Sequence, residues 1–166
     1  MTVATVLEPS TVAPTNIAPV DADRSARISF RQPVSPSGAI DAAWWPRSAD
    51  LSQELPELLD VLWTAGREIV HVTYHITAWQ PAPRRMTVEG RRVRLGGFDT
   101  SDPLTVRLTD SAGRERIDVL VVPPETDPVV ADRALRLAGV AESALTASEI
   151  LLRAATPTAP GTGNVR

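Results

Sequence analysis

A chain of 166 residues, 43% of them hydrophobic, carries enough apolar mass for one compact core with tails rather than for two domains. Its basic side chains are all arginine, seventeen with no lysine, and a formal net charge of −3 excludes the strongly basic coat of general nucleic-acid packaging while leaving local patches open. The lack of cysteine removes disulfide frameworks, thiolate metal sites and cysteine nucleophiles.

Residues 1 to 26 are Thr, Val, Ala and Pro with acids at Asp21 and Asp23, without strand or helix periodicity, and are expected to form a disordered tail. That tail has no basic n-region, and Pro9, Pro14 and Pro19 break its apolar runs, so a cytoplasmic protein with no membrane association is expected. The body is placed at residues 27 to 141. It opens with ARISFRQP, where Ile28 and Phe30 alternate with polar residues as in a half-buried strand. PVSPSG turns the chain, and AIDAAWW is a second strand that Pro46 stops.

Leu51, Leu55, Leu58, Leu59 and Leu62 recur on one helical face, with Ser48, Asp50 or Ser52 as the cap. Pro56 is awkward in this run, so the regular helix is expected to begin near Gln53 or to kink. EIVHVTYHITAW reads as a strand that buries Val70, Val72, Tyr74 and Ile76 and turns His71, Thr73 and His75 the other way. RRMTV, RVRL, LTVRLTD and RIDVLVV follow as a meander, with Gly96 and Gly97 read as a turn or bulge. A helix from about Pro128 to Ala138 closes the body, capped by Thr126 or Asp127 and stopped by Gly139. Residues 142 to 166 are read as a weaker helix, ALTASEILLRAA, followed by a disordered tail. The order of elements predicts a single α+β domain: a curved, mostly antiparallel sheet of about six to seven strands, two main helices and a weaker C-terminal helix.

The words AWWPRS, AWQPAPRR, RRVRLGGF and VVPPETDP, in that order within residues 27 to 141, resemble an actinobacterial family of small proteins known only as a domain of unknown function. The resemblance implies one domain and brings no activity, ligand or catalytic residue with it.

Catalytic signatures are missing from the chain. It contains no GxSxG elbow, no GxGxxG, and no phosphate loop, which would need a lysine. His71 and His75 stand four apart, but on a strand that spacing separates their backbones by roughly 13 Å, too far to chelate one ion. No metal and no cofactor are therefore expected, and an enzyme is the minor reading, with a site around His75, Asp41 and Trp79.

Charge distribution says more than total charge. From Arg84 to Arg116 there are eight arginines against five acids, whereas from Asp41 to Glu68 six acids oppose two arginines, so the molecule should be electrically two-sided. In RRMTVEGRRVRL, a two-residue turn at Glu89 and Gly90 would set Arg85 across from Arg94 and Thr87 across from Arg92, gathering Arg85, Arg92 and Arg94 on one face. The expected counter-charge is internal, from Asp99, Asp102, Glu115 or Asp118; the functional alternative is an external anion. In the Trp44–Trp45 pair, Trp44 should enter the main core, while Trp45 faces the other way under the stem of Arg47 or a crossing helix, or else lines an open ligand face.

The leading reading is a non-catalytic binding or regulatory module with an aromatic and arginine-lined face. Its candidate ligand-binding residues are Trp45, Arg47, His75, Trp79, Arg85, Arg92 and Arg94. The partner would be an anionic ligand or an acidic protein surface, with RNA less favoured and the oligomeric state open.

Overall fold

The computed structural model describes residues 27–31, 39–140 and 145–157. The expected disorder of residues 1 to 26, the PVSPSG turn and the C-terminal tail from residue 158 lie outside the described residues. Among the described residues, seven strands and three helices follow one another as β1 (Ile28–Phe30), β2 (Ala42–Trp44), α1 (Leu51–Thr64), β3 (Ile69–His75), β4 (Arg85–Val88), β5 (Arg91–Phe98), β6 (Thr105–Asp110), β7 (Arg116–Val121), α2 (Pro128–Gly139) and α3 (Ala147–Ala155). All seven strands form one open, mixed sheet in the order β1-β2-β7-β6-β3-β5-β4. The β2–β7 and β3–β5 pairs are parallel and the other four are antiparallel, so the α+β class with a mostly antiparallel sheet stands.

The simple meander does not. Strand β3 lies between β5 and β6, because the loop between those two strands, residues 99 to 104, is long enough to step over one strand rather than to close a tight hairpin. Strands β4–β5 and β6–β7 form short-looped hairpins. In the first, Glu89 (φ 48°) and Gly90 (φ 76°) both occupy the left-handed region that a two-residue turn of the I′ type requires.

Helix α1 starts at Leu51 with Asp50 as its cap, whose carboxylate accepts from the amides of Ser52 and Gln53. It runs on through Pro56, two residues earlier in start than the sequence suggests, so the ring costs the Ser52 carbonyl its usual donor without ending the helix. Its buried leucines cover one face of the sheet, meeting Trp44, Val72, Val93, Leu108 and Val119. On the opposite face, α2 and α3 cover only the β2–β7 end, where Ala131, Ala134, Ala138, Ala147, Ile150 and Ala154 pack on Ala43, Leu120 and Val122. Helix α2 is capped by Asp127, and α3 by a reciprocal Thr146–Glu149 capping box. Helix α3 therefore packs on the core with three buried side chains.

Strand β3 departs from strict alternation. A bulge between Ile69 and His71 shifts the phase, so Ile69, Val72 and Tyr74 are buried, Val70 is only half-buried, and Ile76 is exposed just past the strand end. Strict alternation along the sequence places Val70 and Ile76 in the core instead.

Candidate functional site

Register determines what the uncovered part of the second face presents. Reading across β4, β5, β3, β6 and β7, the side chains of Arg85, Arg94, His71, Thr109 and Arg116 form one row. The next row holds Gly96, Thr73, Arg107 and Asp118, and Phe98 stands opposite His75 in the one after. Residues two apart on a strand share a face, so Arg92 and Thr87 extend the first row toward the hairpin turn.

Arg85, Arg92 and Arg94 are all exposed and line a groove of about 770 Å³ together with His71, Thr87 and Ser111. Among the described residues, none of the three stands in an ion pair, although Arg85 and Arg94 face each other directly across the hairpin. Three of the four expected internal counter-charges are occupied elsewhere. Asp118 takes Arg107 at 2.8 Å and Arg116 at 2.7 Å, and Glu115 pairs with Arg67. Asp102 accepts from the Leu104 amide and the Thr105 hydroxyl in its own turn. Three forked guanidinium groups on one open surface match the oxygens of a phosphate or carboxylate.

The second arginine cluster is of a different kind. Asp118 is buried, and its backbone amide donates to the Asp41 carboxylate at 3.0 Å. Burial alone would raise its pKa; hydrogen bonds from Arg116 and Arg107, with their charges, outweigh that and hold the carboxyl below its ordinary value. The hydrogen bond to Asp118 in turn raises the Arg116 guanidinium, against the opposing effect of burial. This cluster faces a polar pocket of about 400 Å³ beside Thr73, Ser101 and Thr146.

The remaining sequence candidates are scattered. Trp79 is buried in the main core and stacks on Trp44, with ring centroids 5.5 Å apart and planes 22° from parallel. Trp45 packs against the second core, and the guanidinium that covers its ring at 4.0 Å belongs to Arg27 rather than Arg47. Arg47 instead pairs with Glu57 at 2.9 Å, and its amide donates to Glu54, which fastens the segment after the tryptophans to α1. His75 is half-buried at the end of β3, its Nδ1 in hydrogen-bond contact with Thr77. Asp41 precedes β2, three strands and about 14 Å across the sheet from β3, and lines a cavity with Phe30 and Leu62. Trp79 borders another cavity, with Pro123 and Pro124. The structure thus brings Arg85, Arg92 and Arg94 together, while Asp41 and Trp79 line separate cavities and His75 lines neither. Among the described residues, no group of three or more His, Cys, Asp or Glu is placed to hold a metal ion, and no helix is long and apolar enough to cross a membrane.

Phe98 is the surface residue that sequence reasoning missed. Gly96 and Gly97 lie inside β5 rather than in a turn, so the alternation that starts at Arg92 continues to Phe98. A side chain at 97 would meet Tyr74 and Ile76 at 3.1 to 3.2 Å, which is why glycine continues the strand there.

The chain belongs to DUF5994, a family of unknown function, which matches residues 27–138. That span holds the whole sheet, α1 and nearly all of α2, and leaves α3 outside. No curated protein and no solved structure matches the chain.

Proposed function

We propose that this member of a family without an assigned activity is a non-catalytic binding or regulatory module that holds an anionic group on Arg85, Arg92 and Arg94. One observation carries the reading: three exposed arginines share a sheet face, two of them directly opposed, with no ion-pair partner among the described residues. Like charges set opposite each other destabilise a hairpin, and an arrangement of that kind makes physical sense when an anion from outside neutralises it. His71, next in the row, adds an imidazole nitrogen to the same surface. The reading takes the protein to work in the cytoplasm, in keeping with a chain free of cysteine.

The test is titration calorimetry of the full chain with pyrophosphate and with an acidic peptide. Binding that weakens as salt rises, and that is lost in the double variant Arg85→Gln, Arg94→Gln, supports the assignment. A double variant that binds as well as the unaltered chain, or an unaltered chain that binds neither probe, overturns it.

A further inference from the structure

Phe98 keeps 52% of its surface exposed at the end of β5, beyond the residues that pair with β4. It lies on the same side of β5 as Arg92 and Arg94, with His75 beside it on β3. Its ring rests over Gly96: a Cβ built at 96 would stand 3.0 Å from the ring carbon Cε2 and 3.6 Å from Cζ. Glycine at that position lets the ring lie along the sheet instead of being propped away from it. One surface therefore presents, in line along one strand, two forked cations and an accessible aromatic ring that lies over the glycine between them.

We infer that this face binds single-stranded nucleic acid, with phosphates on Arg85, Arg92 and Arg94 and an unpaired base stacked on Phe98. The inference rests on the anion-binding reading above and names its ligand. Cations alone would serve any polyanion; the exposed ring is what selects for bases, whose π faces stack on aromatic side chains without regard to sequence. A duplex is disfavoured because its bases already stack on one another and hide those faces, and a broad, open sheet face does not enter a groove as a helix does. From Arg94 to Phe98 the strand covers about 13 Å, and from Arg92 about 20 Å, at ~3.3 Å per residue. The track therefore suits a chain of several nucleotides rather than one.

The experiment is fluorescence anisotropy of the full chain with labelled oligouridylate and oligothymidylate. The same oligothymidylate annealed to its complement, and unlabelled inorganic polyphosphate, serve as competitors. Either single strand should bind, the duplex more weakly, and the logarithm of affinity should fall against the logarithm of salt with a slope of about −2 for three phosphates. Phe98→Ala should lower single-strand affinity by roughly fivefold to a hundredfold, the loss of one stacked base, while leaving the polyphosphate affinity unchanged. Phe98→Tyr, which keeps a ring, should restore it. Because Phe98 is half exposed, its alanine variant should unfold at the same urea concentration as the parent, and circular dichroism checks that it is folded. If the alanine variant binds single strands as the parent does, or if the duplex competes as well as the single strand, the nucleic-acid assignment is overturned while anion binding stands. If neither oligonucleotide nor polyphosphate binds, both readings fall together.

Discussion

Strands β7 and β5 sit in the same sheet, with two strands between them, and treat water in opposite ways. Every residue of β7 from Ile117 to Val121 is buried, because α1 lies over one side and α2 with α3 over the other. On β5, Val93 and Leu95 are buried under α1, whereas Arg92 and Arg94, which alternate with them, stay exposed. Helix cover on the second face stops near Asp118, and the arginine rows begin there. A strand covered on both sides reads as a continuous apolar run, and a strand covered on one side reads as alternation. What distinguishes the open half of this sheet is that its alternate positions are arginine and histidine where an inert surface needs only mixed polar residues. The fold uses one side of β5 for stability and leaves the other for contact.

The largest effect that tests this division is at the tryptophan pair. Trp44 is 2% exposed and stacks on Trp79 within the α1-covered core, so Trp44→Ala should cost about 3–5 kcal/mol in urea unfolding. Trp45 is half-buried on the other side under the Arg27 guanidinium, and Trp45→Ala should cost distinctly less, about 1–2 kcal/mol. Equal losses would show that the second face is as much a core as the first, and the contrast between the two sides would fail.

The division was legible in the sequence where periodicity was clean. The leucine stripe of α1, the helix at Pro128 and the Glu89–Gly90 hairpin with Arg85 against Arg94 follow from local spacing and turn chemistry, which the structure had no reason to override. Strand order was not legible, because β3 between β5 and β6 is a long-range pairing that no local pattern encodes. Phase was lost at two places. The bulge near Ile69 moved Val70 out of the core, and the Gly96–Gly97 pair read as a turn, which hid Phe98 from the arginine face. The counter-charges were misassigned for a related reason. Asp118 lies in the same face as the hairpin arginines, but Arg107 and Arg116, nearer across the ladder, take it first.

Converting the satisfied arginine cluster into a copy of the unsatisfied one gives the intermediate effect. Asp118→Asn keeps the shape and removes the charge shared by Arg107 and Arg116, whose side chains are about half exposed, so the loss should be about 1–2 kcal/mol. The sign with pH follows from the lowered pKa of Asp118: its contribution is present above the unfolded carboxylate value of about 3.9 and is lost as pH falls through the lower folded value. Urea midpoints of parent and variant should therefore differ at pH 7, keep that difference down to about pH 5, and converge below about pH 4. A difference that persists unchanged at acid pH would mean that the Asp118 charge is not what anchors the two arginines.

The smallest stability effect is expected where the binding effect is greatest. Arg85 and Arg94 stand opposite each other with exposed side chains and no ion-pair partner among the described residues, so their mutual repulsion opposes hairpin closure by a few tenths of a kcal/mol. Replacing both with glutamine keeps most of the stem length and removes the repulsion. The double variant should unfold at the same urea concentration or slightly higher, by no more than about 0.5 kcal/mol, and the gain should vanish in high salt, where the parent's repulsion is already screened. The urea midpoint at low and high ionic strength reads both the sign and the screening. A marked fall in midpoint would identify these arginines as members of a stabilising network, and the open half of the sheet would then be a structural surface that happens to face water.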